Sequence, residues 1–126
     1  MRSLSNSKVR NRADFGVVSR MQMDVTMQEC IENCEKCAEA CKKCGDACEG
    51  MDGMEECVRL CRECEAECRQ SIESMKAGSN KDCADCAIAC TACAEECEMH
   101  DHPACQECAA ACRECAETCG EMAASM

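Results

Sequence analysis

The chain has 126 residues and a formal net charge of −11, and its 47% apolar share is supplied mainly by 20 cysteines, eighteen alanines and 10 methionines. Leu, Ile, Val and Phe together number eleven, and Trp and Tyr are absent, so an ordinary aliphatic core is excluded. So is nucleic-acid binding, which wants a basic footprint and stacking surfaces.

Residues 1–20 carry five Lys or Arg, one acid (Asp14) and no cysteine. We read residues 1–22 as a flexible basic tail, with Met21 and Met23 as alternative starts. The segment shows no apolar core of an export signal, and "RNR" at Arg10–Arg12 is not a twin arginine. No stretch is apolar enough to span a membrane. Thiols in this number would oxidise in a secretory compartment, which predicts a reducing, cytoplasmic location.

From residue 23 onward the cysteines fall into four blocks. The first holds Cys30, Cys34, Cys37, Cys41, Cys44 and Cys48. The second holds Cys57, Cys61, Cys64 and Cys68. The third holds Cys83, Cys86, Cys90, Cys93 and Cys97, and the fourth Cys105, Cys108, Cys112, Cys115 and Cys119. Within each block gaps of three and four alternate, which is the seam of a helix, whereas a strand needs a period of two. Thr26 with Glu29 predicts a capping box at the start of the first helix, and Asp52 with Glu55 predicts a second one. Gly50 and Gly53 mark the first turn and "AGSN" at Ala77–Asn80 the second. Pro103, after "HDH" at His100–His102, fits the first turn of the fourth helix. The prediction is an all-α, up-down-up-down antiparallel four-helix bundle over residues 23–126. Its helices have about twenty residues, each about 30 Å long. Cysteine lines the core, and Glu, Lys and Arg cover the outside.

Cysteine is a weak choice as packing, because it buries less apolar area than leucine. Disulfides within a helix are strained, since neighbours three or four apart have Cβ atoms about 5–6 Å apart against about 3.8 Å in a disulfide. A metal fits directly: two sulfurs about 4–4.5 Å apart can share one ion with bonds of about 2.3 Å. Zinc would need about four thiolates per ion, so the chain would hold about five ions, each site carrying −2 in a narrow tube. Cu(I) accepts two or three thiolates. If each ion bridges two sulfurs and each sulfur two ions, the ratio is about one to one and the core stays neutral. Iron–sulfur clusters lack their characteristic cysteine run. A zinc–thiolate buffer and a copper metallochaperone stand as alternatives. No single thiol is set apart as a redox nucleophile, so catalysis is not predicted.

The seams also distinguish the two ends of the bundle. One end gathers Met51, Asp52, Met54, His100, Asp101 and His102. The other gathers Met23, Met27, Ile72, Met75, Met122 and Met126 and has no histidine. Imidazole and thioether hold Cu(I) more reversibly than bridging thiolates do, so the first end is the predicted mouth. The alternatives are seam filler for the methionines, turn or capping roles for the histidines and an N-cap for Asp52. Alanine-rich surface on the third and fourth helices (Ala84, Ala87, Ile88, Ala89, Ala92 and Ala109–Ala111) predicts self-association.

Four phased cysteine blocks and the histidine-bearing turn before the last one resemble the bacterial copper storage proteins, over Met23–Met126. The missing export signal resembles the cytosolic branch. The resemblance implies a homotetramer of cysteine-lined bundles that stores and detoxifies many Cu(I) ions. These would be filled through one open end, with His100, His102, Met51, Met54 and Asp52 as the matching residues near it.

Overall fold

The computed structural model describes residues 26–124 of the chain. Four helices follow one another: α1 (Met27–Cys48), α2 (Glu55–Lys76), α3 (Cys83–Cys97) and α4 (Pro103–Ala124). Each packs on its two neighbours in a closed ring, α4 returning to α1. The directions alternate. Cys30, near the start of α1, meets Cys119 near the end of α4, whereas Cys48 at the end of α1 meets Cys105 at the start of α4. This is the antiparallel four-helix bundle that the alternating spacing predicts, and the described residues contain no strand.

The core is made of thiols. All 20 cysteines have no solvent exposure, and around them lie Ile31, Met54, Ile72, Met75 and Met122 with Ala38, Ala94 and Ala109. Charge occupies the outer faces, where Lys42–Asp46, Arg69–Glu65 and Arg113–Glu98 pair. Such pairs stay hydrated and are screened by salt, so they confer solubility more than stability. Arg62 is more specific. Its guanidinium crosses from α2 over Gly45 to reach Asp46 on α1 at 2.9 Å and Glu49, the residue that caps the end of α1, at 3.3 Å, clasping the two helices.

The helix ends explain where each element stops. At Thr26 the side chain accepts from the Glu29 N–H at 3.1 Å, while Glu29 Oε1 accepts from the Thr26 N–H at 3.1 Å. This reciprocal pair is the predicted capping box. The second one does not form. The N-cap of α2 is Met54, without a side-chain cap, and Asp52 is exposed in the turn. The cause is the backbone of the connection. Gly50 and Gly53 both take positive φ, and the turn closes through Met51 N–H to Cys48 C=O and Met54 N–H to Met51 C=O, so the helix begins one residue after Met54.

At the end of α2, Gly78 has φ +87°. Its N–H donates to Met75 C=O, and the Ser79 N–H reaches back to Ser74 C=O, a Schellman termination. α3 has 15 residues where about twenty are predicted. Its N-cap, Asp82, does not cap it. That carboxylate is instead held by Ser74 and Gln70 on α2 and by Lys81. α4 does begin at Pro103, whose missing N–H is no loss in a first turn. Of the predicted outer surface, Ile88 is 68% exposed, but Ala109 is 5% exposed and belongs to the core. The basic tail predicted for residues 1–22 lies outside the described residues, as do Met23 and Met126.

Candidate metal centre

Inside the ring the sulfurs form a continuous ladder. It starts at one end with Cys48–Cys105 (3.7 Å), Cys105–Cys57 (3.7 Å) and Cys57–Cys97 (3.8 Å). It continues through Cys97–Cys93 (3.9 Å), Cys93–Cys108 (3.9 Å), Cys108–Cys41 (3.6 Å) and Cys41–Cys37 (4.0 Å). Then come Cys37–Cys90 (3.7 Å), Cys90–Cys86 (4.0 Å), Cys86–Cys34 (4.0 Å), Cys34–Cys119 (3.4 Å) and Cys119–Cys30 (3.6 Å). All 20 are free thiols. These separations exceed a disulfide bond of about 2.05 Å. They fall within the span of about 4.6 Å that two metal–sulfur bonds of about 2.3 Å can bridge.

Sets of four sulfurs lie within 4.8 Å of one another, and the sets overlap. Cys37 and Cys64 belong both with Cys68 and Cys90 and with Cys41 and Cys112. Cys41 and Cys112 belong also with Cys93 and Cys108. A sulfur shared by two sets can bridge two ions but cannot close two separate tetrahedra. The geometry therefore suits a chain of bridged ions better than a row of isolated four-thiolate sites.

Burial keeps protons on Cys57, Cys83 and Cys105. It pushes Cys105 up to about 12 and also raises Cys57 and Cys83, because a thiolate there would lose its hydration. In the middle, hydrogen bonds between thiols decide the direction. Contacts with Cys108 and Cys112 raise Cys41, which keeps its proton. Contacts with Cys112 and Cys37 lower Cys64. A soft cation bound in this core would displace protons, and neighbouring S–H groups would support the thiolates formed.

The two ends differ as the sequence implies. At the Cys48 end, Met54 is 7% exposed and Met51 42% exposed, and Cys48 with Glu49, Gly50, Met51, Glu55 and Val58 borders a hollow open to solvent. His100 and His102 are both partly buried there. His100 Nε2 lies 2.9 Å from Glu96 Oε2, and His102 Nδ1 accepts the Ala104 N–H at 3.1 Å. Asp52 and Asp101 are exposed. The opposite end is closed by Met27, Ile31, Ile72, Met75 and Met122 packed on the sulfur core.

Two residues at the site escape a reading based on cysteine alone. Ser71 is fully buried with its Oγ 3.6 Å from Cys83 Sγ. It continues the α2 seam four-three-four-three-four from Cys57 through Cys68 and Ser71 to Met75, so spacing alone could have found it. Glu96 lies one turn before His100 on α3, a separation of four that marks a side-chain pair.

Comparison with known families decides what such a ladder belongs to. The family model described as "Csp: Copper storage protein" matches residues 23–124. The chain belongs to the copper storage protein family. Among solved members, apo-Csp3 from Bacillus subtilis is 42% identical, with 78% of this chain and 99% of that chain covered and a TM-score of 0.74. The Cu(I)-bound BsCsp3 structure is 41% identical, with 76% and 96% covered and a TM-score of 0.72. A cytosolic copper storage protein from Streptomyces lividans, described with five coppers, is 32% identical, with 79% and 93% covered and a TM-score of 0.74. A search of curated protein sequences finds no match. The span matched to the copper storage family takes in every thiol of the ladder, Ser71, and both histidines.

Proposed function

We propose that this protein stores Cu(I), about one ion per cysteine, by bridging thiolates along the core, and so keeps free copper low. The observation that carries this reading is the overlap of the sulfur sets. With each ion bridging two sulfurs and each sulfur two ions, positive and negative charge balance inside the tube. Separate zinc sites would each leave −2 in a core whose sulfurs are fully buried. Copper reaches the ladder at the end that carries Met51, Asp52, Met54, His100 and His102, where Cys48 borders the surface hollow. The other end is sealed by apolar side chains. The role is storage, with no catalytic step assigned to any residue.

A cytosolic location is supported by the described location of the Streptomyces lividans relative and by the number of free thiols, which a reducing compartment preserves. A homotetramer is proposed from the family resemblance, supported by the exposed Ile88 and the alanines beside it on α3. Light scattering of the empty protein tests it, and a monomeric mass rejects it.

Anaerobic titration with Cu(I) against a chromophoric chelator tests storage itself. Saturation near twenty ions per chain is expected. Saturation near five would replace copper storage with a zinc–thiolate buffer, and saturation at one or two would favour a metallochaperone.

A further inference from the structure

The two histidines at the mouth are not chemically equivalent. We infer that Glu96 fixes the His100 imidazole with its proton on Nε2, which leaves Nδ1 as the ligand that receives incoming Cu(I), while His102 serves α4 as its cap. This rests on the reading of the Met51/His100 end as the mouth.

Glu96 Oε2 sits 2.9 Å from His100 Nε2, and both side chains are partly buried at 15% and 21% exposure. A carboxylate only accepts, so Nε2 must donate and carry the proton. In a neutral imidazole the other nitrogen then holds a lone pair, and an imidazole lone pair is a ligand for copper. The same device, a carboxylate behind a metal-binding imidazole, fixes ring orientation and raises ligand basicity. The backbone beneath the ring is fixed too. The His100 N–H donates to Cys97 C=O at 3.1 Å, and Gln106 Nε2 donates to His100 C=O at 2.6 Å, tying the turn to α4. His100 also lies three residues beyond Cys97, in step with the four-three alternation of the α3 seam.

His102 has the opposite arrangement. Its Nδ1 accepts the Ala104 N–H at 3.1 Å, and its carbonyl accepts the Gln106 N–H at 3.0 Å. Both are the bonds of an N-cap residue. The Nδ1 lone pair is therefore used, and the proton sits on Nε2, so neither nitrogen is free for a metal. His102 is also out of step with its seam, since the four-three alternation that reaches Cys105 from α4 passes through Asp101.

On this assignment Cu(I) exchanges one ligand of its carrier for His100 Nδ1, with no proton moved. It then passes to the first rungs of the ladder, Cys48 and Cys105, where a thiol releases its proton to solvent as the copper–sulfur bond forms.

The test uses the full-length empty protein under anaerobic conditions. Long-range proton–nitrogen NMR reads the tautomer of each ring, and stopped-flow transfer from a coloured Cu(I)–chelator complex reads uptake. In the native chain both rings should show protonated Nε2, and one equivalent of Cu(I) should perturb His100 Nδ1 before any His102 nitrogen. Glu96→Ala should mix the His100 tautomers and slow uptake about tenfold at unchanged capacity. Glu96→Gln, whose amide oxygen still accepts, should restore both. His102→Asn, which keeps a good cap, should match the native rate, whereas His100→Ala should not.

Three results overturn the proposal: native uptake in Glu96→Ala, Glu96→Gln as slow as Glu96→Ala, or His102→Asn as slow as His100→Ala. If uptake stays native in both histidine variants and in their combination, the mouth itself is misplaced. The NMR tautomer of His100 then reports separately whether Glu96 acts on the ring. Unchanged helicity by circular dichroism in each variant shows that the bundle is intact.

Discussion

A thiol does two different jobs here, depending on whether metal is present. Without it, each cysteine is a small apolar filler with a weak S–H donor; on the proposed storage role, the same atom becomes a charged ligand when metal binds. The switch is a proton, and at Cys105 burial sets its direction. Cys105 is raised from 9.0 to about 12 by desolvation. The protonated form is thus the one the fold prefers at Cys105, and at Cys57 and Cys83, which burial raises in the same way. That preference stabilises the empty bundle fully below pH 9.0, the ordinary thiol value, and is lost as pH rises toward about 12. The melting temperature of the metal-free protein should therefore fall between pH 9 and 11 under reducing conditions. A flat profile would mean that the thiols titrate as if exposed.

Copper affinity runs the other way. If each ion displaces one proton, apparent affinity should drop about tenfold per pH unit as the medium is acidified, read by chelator competition. Ser71 offers a third check at this scale. It occupies a seam position but brings oxygen, a poor ligand for Cu(I). Ser71→Cys should add about one ion to the saturating load in the same titration. The buried cysteines were readable from spacing because a period of three and four places each one inward. Ser71 was passed over because its residue type broke the pattern its position kept. The choice between ligand and cap at His102 depends on a hydrogen bond that sequence does not display.

At the scale of the element, short local signals determine where the helices begin and stop. The capping box at Thr26 was legible because both partners sit on the chain side by side. Thr26→Ala should cost about 1 kcal/mol of unfolding free energy in the empty protein, measured by urea denaturation. The equivalent signal at Asp52 and Glu55 failed for a physical reason. Gly50 and Gly53 both adopt left-handed backbone, and this winds the connection into tight turns that carry Asp52 away from the first turn of α2. A capping motif in sequence presupposes an extended N-cap, which glycine on either side can remove. At the start of α3 the local signal is lost in another way, because Asp82, a residue fit to cap it, is drawn to Ser74 and Gln70 on the neighbouring helix and leaves the helix without a side-chain cap. Tertiary contacts of this kind outcompete local propensity and cannot be seen in a single helix.

The whole molecule behaves as a sheath around a reactive axis. Its four helices close a ring with the charged residues outward, so the outer surface need not change as the inside fills. Loading by exchange of one Cu(I) for one proton leaves the net charge near −11, so mobility on a native gel should stay nearly constant up to saturation. Stability should not stay constant. Binding to the folded state alone adds about 4 kcal/mol per site at free copper a thousand times its dissociation constant. Even a few sites should raise the melting temperature by more than about 10 °C. Bundle topology was legible from the four blocks and their turns, because a seam repeated four times leaves few other ways to bury it. What covers Ile88 was not, since an exposed apolar residue on a helix names no partner. The regular alternation along each helix has a last consequence for design. Two inward sulfurs recur every seven residues, so inserting one heptad into all four helices would lengthen the tube by about 10 Å and add about eight thiols. Holding power would then scale with the height of the cylinder, leaving its width as it is.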